Sequence, residues 1–189
     1  QMCIRDRLKV TPLKHSGKGK RTKTVAKERL VLDIINYENL PKENFEDSRF
    51  WNKSKNIIMV YYYDDREDKK TQSRLDCKVL KSVVLHYDEN DLATIRDDWE
   101  TIHEKVASGH ADQLSESDTN YLAACTKGAN ASSMRDAPAP AGSGKARIRA
   151  KQRAFSFKSS FMTSIAERAL VSRCLLYTSD AADDLIGVD

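Results

Sequence analysis

Apolar and polar positions change their period several times along the chain. Leu8–Pro12 alternates apolar and polar side chains, which predicts a short strand. His15–Lys23 is basic and punctuated by glycine, and reads as a mobile loop. Glu28–Tyr37 is rich in Val, Ile and Leu and predicts a strand or a strand pair, followed by a polar connection over Leu40–Asp47 that contains Pro41. Lys55–Tyr63 is the most apolar run, bounded by charges. Its length and its β-branched and aromatic content predict a buried central strand rather than a helix. A charged excursion over Asp64–Arg74 leads to another strand at Lys78–Tyr87. The period then lengthens. Leu92, Ile95, Trp99, Ile102 and Val106 form one apolar stripe of a helix, with Asn90 or Asp91 expected to cap its start and Gly109 its end. Ser115–Asp118 introduces a short segment that carries Tyr121 and Leu122 inward. Ala137–Gly144 is expected to form no regular structure. Ala154–Phe157 predicts a last strand, and Ser159 or Ser160 caps a helix through Phe161, Ile165 and Ala169. Strands first, then helix, strand and helix, give an α/β (α+β) domain without internal repeats.

Composition narrows the class. The 189 residues carry 32 Lys and Arg against 28 Asp and Glu, a net charge of +4, with a mean hydropathy of −0.63. No run approaches the roughly 18–20 apolar residues of a spanning helix. Four cysteines without a C-x-x-C pair argue against a disulfide scaffold and a structural zinc site.

The two ends carry a different pattern. Met2-Cys3-Ile4-Arg5-Asp6 back-translates as ATG TGT ATA AGA GAC. The reverse complement of that DNA, read in a shifted frame, encodes Cys-Leu-Leu-Tyr-Thr-Ser, as found at Cys174–Ser179. One DNA element in opposite orientations therefore accounts for both ends, and it resembles the inverted transposon-end adapter of sequencing libraries. Residues 1–7 and 173–189 are expected to be adapter-derived, which leaves residues 8–172 as the biological domain. That stretch holds 29 basic and 23 acidic residues, a net of +6, and only Cys77 and Cys125. Two lone cysteines fit a reduced, cytoplasmic protein.

The basic residues concentrate at Lys14–Lys23, at Lys53 and Lys55, and at Lys145–Lys158. Loop-borne cations beside glycine suit phosphate contacts, although a solvated surface accounts for the same charge. Among Tyr61, Tyr62 and Tyr63 a place in the core outweighs stacking on bases. His15, His86, His103 and His110 form no metal-binding spacing. Asp64 and Asp65 are a carboxylate pair that could bind a metal, whereas Asp97 and Asp98 point apart on a helix and read as solvated surface. Cys125 near Lys127 has no histidine beside it to make a nucleophile.

Leu8-Lys9-Val10-Thr11-Pro12 resembles the strand that ends the metal-binding motif of the MutH-like endonucleases. These comprise the mismatch-repair nicking enzyme and restriction enzymes that cut at GATC. Their motif is an Asp, then Gly-Val-Glu-Leu-Lys-x-x-Pro. The resemblance continues in order through Ala26-Lys-Glu-Arg-Leu-Val-Leu32, Ile34-Ile-Asn-Tyr37, Phe50-Trp-Asn-Lys-Ser-Lys55, Arg96-Asp-Asp-Trp-Glu100, Tyr121-Leu-Ala-Ala-Cys-Thr-Lys-Gly-Ala-Asn130 and Ala154-Phe-Ser-Phe-Lys158. It covers nearly all of residues 8–172.

The resemblance implies a restriction-endonuclease-like PD-(D/E)xK core, a central mixed β-sheet flanked by helices. It implies Mg²⁺-dependent hydrolysis of duplex DNA at GATC, in which the metal polarises the phosphate and activates water. Lys9 is then the motif lysine and Lys53 a second catalytic lysine. Lys127 and Asn130 fall in the loop that reads the major groove, where lysine can donate to guanine. Lys158, Lys14 and Lys55 become contacts to the DNA backbone, as does the Lys145–Arg153 cluster. A dimer, or a second MutH-like domain in the full-length protein, is compatible with this reading, and no membrane is. Two departures matter. The motif glutamate would stand at position 7, which is Arg7, and the aspartate upstream of it has no counterpart, so the metal carboxylates are expected to be missing from this chain. Cys125 and Ser156 replace an arginine and a tyrosine of the nicking enzyme, which points to the restriction branch. The alternative is a non-catalytic GATC-binding effector domain of the same family.

Overall fold

The computed structural model describes residues 7–17, 23–64, 66, 70–128 and 133–171. Both presumed adapter segments, apart from Arg7, lie outside the described residues, as do Asn130 and Asp65. Nine strands and three helices are described: β1 Leu8–Ser16, β2 Lys23–Ala26, β3 Leu30–Ile34, α1 Arg49–Ser54, β4 Ile58–Tyr63, β5 Val79–Val84, α2 Glu89–Ala107, β6 Leu122–Thr126, β7 Met134–Pro138, β8 Arg147–Lys151, β9 Arg153–Phe157 and α3 Ser159–Val171.

The strands form three sheets. The first is mixed, in the order β2-β1-β4-β5, with β1 and β4 parallel and both outer pairs antiparallel. Parallel pairing needs a crossover, and β2, β3 and α1 supply it. The second sheet, β3-β9-β6, is antiparallel throughout. The third is the hairpin β7-β8. The expected class, a mixed sheet with helices, is what the residues build.

The apolar run at Lys55–Tyr63 becomes β4, the strand between β1 and β5. Alternation places Met59 and Tyr61 in the core, each 0 % exposed. The helical stripe also forms. Ile95, Trp99, Ile102 and Val106 are buried on α2, and each such burial stabilises by roughly 1.5–3 kcal/mol. The aromatic centre joins Phe45, Phe50, Phe155, Phe157 and Phe161, with the Phe50 and Phe155 rings 5.0 Å apart.

Four local expectations need correction. β1 runs past Pro12 to Ser16, because Leu13–Ser16 pairs with β2 and draws His15 out of the expected loop. The cap of α2 is Asp88, not Asn90 or Asp91. Its side chain accepts from the Asp91 N–H while the Asp91 carboxylate accepts from the Asp88 N–H, closing a capping box. Ala137 and Pro138 belong to β7, and Ala137 is 1 % exposed. Regular structure survives Pro138 there because hairpin pairing with Arg147 and Ile148 holds the segment. The basic run at Lys145–Lys151 is largely β8, so Arg147, Arg149 and Lys151 line one exposed face of a strand instead of sitting on a loop.

Gly109 does follow α2, at φ 84°. A Cβ there would lie 2.4 Å from the Pro140 backbone nitrogen, so only glycine lets the helix end meet the hairpin turn.

Candidate nucleic-acid interface

The seven lysine and asparagine positions named from the sequence fall in different surroundings. Lys9 lies on β1, level with Met59 of β4, on the face that also carries Thr11 and Leu13. It is half-buried at the edge of that inner face. Lys14 is exposed further along β1, opposite Val25. Lys55, also exposed, donates to Asn52 Oδ1 at 2.8 Å. Lys127 is exposed just beyond β6, and its backbone N–H donates to the Gln152 carbonyl at 2.8 Å. Lys158 is half-buried, and its ammonium donates to the Thr119 carbonyl. Asn130 lies outside the described residues.

Lys53 has the most defined environment. It stands in the last turn of α1, and its Nζ donates to Asp33 Oδ1 at 2.7 Å. Arg49, one turn earlier, places Nε 2.8 Å from Asp33 Oδ2. Both carboxylate oxygens of a residue only 9 % exposed are thus engaged by α1. α1 starts where Ser48 accepts from the Trp51 N–H, and Phe50 anchors it in the core at 1 % exposure. β4 follows almost directly, so Lys53 precedes by six residues the Met59 that lies level with Lys9.

Asp98 overturns the reading of a solvated surface carboxylate. It is 2 % exposed and accepts three backbone N–H bonds, from Asn120 at 2.7 Å, Tyr121 at 2.6 Å and Leu122 at 2.8 Å. These bonds fix the entry to β6 against α2. The middle of β6 is held by Arg153, which donates to the Ala124 carbonyl at 2.9 Å and, off the strand, to the Leu114 carbonyl at 2.5 Å. Arg153 is therefore occupied inside the protein rather than offered to a ligand. Arg147 and Arg149 pair with Glu38 at 2.7 Å and Asp136 at 3.1 Å.

Asp64 likewise has a partner on each oxygen, Arg66 Nε at 2.8 Å and Lys27 Nζ at 2.6 Å. The Arg66 and Lys27 cations hold its carboxyl well below the usual aspartate range. Among the described residues, no group of three His, Cys, Asp or Glu side chains stands ready for a metal. Arg7, where the resemblance would put the motif glutamate, is a cation whose buried Nε has no partner among the described residues, and it does not fit a divalent ion. Cys77 and Cys125 are both free thiols, and Cys125 is buried on β6 opposite Ala154. Tyr61 is core, with a buried hydroxyl that has no partner among the described residues; burial pushes its pKa up to about 12. Tyr63 is half-buried, bonded to the Thr24 hydroxyl at 3.1 Å, with its ring tilted by 30° against His15.

Residues 5–98 match the family model described as the DNA mismatch repair enzyme MutH. The chain is 46 % identical over 164 residues to the type II restriction enzyme Sau3AI of Staphylococcus aureus, covering 85 % of this chain and 31 % of that protein. The chain belongs to the MutH-like family. It is also 28 % identical over 162 residues to the DNA mismatch repair protein MutH of Shewanella woodyi, covering 86 % of this chain and 64 % of that protein. It thus spans about a third of the restriction relative and just under two thirds of the repair relative. The MutH-like proteins are deoxyribonucleases that act on double-stranded DNA, and nucleases of the PD-(D/E)xK type generally depend on a divalent metal. No described helix is long and apolar enough to cross a membrane.

Neither Asp33 nor Arg49 stands out in the sequence, where Asp98 reads as solvated surface and Arg153 as part of a basic cluster on the DNA backbone. Asp33 left a signal. A lone carboxylate inside the apolar run LVLDI requires a partner, although the run does not say which cation supplies it.

Proposed function

We propose that residues 8–172 form the endonuclease domain of a cytoplasmic type II restriction enzyme acting at GATC in duplex DNA. The identity to Sau3AI over almost the whole of that span carries the reading. Lys53 would contact the scissile phosphate or the attacking water, and Lys9 would serve as the motif lysine. Lys127, exposed beyond β6, is a donor suited to guanine O6 or N7, and Asn130, three residues later in the sequence, would share that role. Lys14, Lys55 and Lys158 would follow the DNA backbone. Asp98 and Arg153 supply the rigidity such a reader needs, because they fix the entry and the middle of the strand that presents it.

Mg²⁺ is the metal of the proposed reaction. The surroundings of Lys9 do not fit it, since Arg7 occupies the place of a carboxylate, so no step through the metal is assigned to this chain. A dimer or a second MutH-like domain would belong to the full-length protein. The 189-residue protein is expected to bind GATC duplex weakly and to leave a GATC plasmid intact in the presence of Mg²⁺. Gel shifts with GATC and scrambled duplexes across a salt series test the binding. Equal affinity for both duplexes at every salt concentration refutes the GATC reading. Mg²⁺-dependent plasmid cleavage refutes the assignment of missing carboxylates.

A further inference from the structure

We propose that Asp33 is a positioning residue that aims Lys53 at a DNA phosphate, an inference that rests on the proposed place of Lys53 at the scissile phosphate. A lysine on a surface helix normally samples many rotamers, and fixing it costs side-chain entropy. Lys53 has already lost that freedom. Its ammonium sits 2.7 Å from Asp33 Oδ1, and its side chain is 21 % exposed. An ammonium has three protons to donate. One goes to Asp33, leaving two for a phosphate oxygen and a water.

Asp33 is itself fixed. It lies in β3 where the register against β9 shifts between Val31 and Asp33, and it pairs with Phe155 of the aromatic core. Its second oxygen takes Arg49 Nε at 2.8 Å. Two cations one helical turn apart on α1 therefore share one carboxylate on β3, which locks the rotation of α1 about its axis. The cluster keeps one net positive charge, so it remains attractive to phosphate. Arg49, 67 % exposed, forms the outer half of the clasp, and Lys53 forms the inner half.

The test is a double-variant cycle on the full 189-residue protein, with GATC duplex as the probe and affinity read across a salt series. Lys53→Met should weaken binding about fivefold to tenfold and lower the salt slope by about one, the signature of one lost phosphate contact. Asp33→Asn should weaken binding about threefold and lower the slope towards the same value. Adding Asp33→Asn to the Lys53→Met protein should change neither quantity. Asp33→Glu should recover part of the loss, and it carries the comparison should Asp33→Asn not fold. Tighter binding by Asp33→Asn overturns the proposal, because the carboxylate would then merely mask a charge. So does an equal loss with and without Lys53, which marks a purely structural residue. If Lys53→Met binds like the parent protein, the placement of Lys53 itself fails, and Asp33 has nothing to position.

Discussion

In the three-stranded sheet β3-β9-β6, the central strand β9 and the edge strand β6 are buried on both faces. Leu122, Ala123, Ala124 and Cys125 of β6 are at most 3 % exposed, and Ala154, Phe155, Ser156 and Phe157 of β9 at most 4 %. In the four-stranded sheet β2-β1-β4-β5, burial is one-sided. Register aligns Leu8, Ile58 and Val84 in one row and Val10 with Val60 in the next, all on the face opposite Met59 and Tyr61. That outer face leaves Leu8 48 %, Val10 56 % and Val84 65 % exposed. The two sheets carry the candidate cations in correspondingly different ways. Lys158 and Arg153 of the buried sheet spend their donors on internal carbonyls, whereas Lys14 of the open sheet stays exposed. Among cations grouped together in the sequence, burial of the carrying strand decides which remain available.

Breaking the anchor of the buried sheet should cost most. Asp98→Ala would orphan three backbone donors in the interior, each worth roughly 1–3 kcal/mol, and should destabilise the protein by about 4 kcal/mol in urea unfolding. A loss below about 1 kcal/mol would mean that water replaces the carboxylate without difficulty. Met59→Ala, on the inner face of the open sheet, should cost about 3 kcal/mol by leaving a cavity. The contrast drawn above requires both changes to be large.

Lys127→Ala touches recognition rather than stability. It should leave the melting temperature unchanged and reduce the preference for GATC over scrambled duplex by about tenfold, since a base contact of this kind is worth roughly 1–3 kcal/mol. An unchanged preference would detach the β6 loop from specificity.

Asp64 links the open sheet to pH. Its pKa lies lower in the folded protein than in the unfolded chain, so as pH falls the unfolded chain binds a proton first. The stabilisation is therefore complete above the ordinary aspartate pKa near 4 and is lost as pH falls through that value towards the folded one. Asp64→Asn should lower the melting temperature at neutral pH and flatten its decline below about pH 4, so that parent and variant converge in acid. An identical acid decline in parent and variant would show that the Lys27 and Arg66 pairing carries no net stability.

The sequence was legible wherever a period ran long enough to pick one face. The stripe of α2 identified an element and its buried side, and the runs that become β4 and β9 each identified a strand. It was not legible where a distant partner decides the outcome. Pro138 enters a strand because Arg147 lies opposite, and Asp98 is buried because Asn120, Tyr121 and Leu122 turn their amides towards it. The site divides the same way. Lys53 could be picked out by resemblance to a family segment. Its hold on Asp33 spans 20 residues and two elements, and no local pattern encodes it.

The smallest expected effect tests the open face itself. Val84 lies on an edge strand, 65 % exposed, so replacing a methyl with a hydroxyl there removes little buried area and leaves β-branching intact. Val84→Thr should change stability by no more than about 0.5 kcal/mol. Its neighbour Val83, opposite Met59 and packed against the core, should not tolerate the same change, because the hydroxyl would enter an apolar interior. The exposed row should show its character in solution instead. Contiguous apolar surface promotes self-association, so Val84→Thr should lower light scattering at high protein concentration while the melting temperature stays the same. A Val84→Thr protein as unstable as Val83→Thr would mean that both faces of the open sheet are covered in solution. The difference between the two sheets would then vanish.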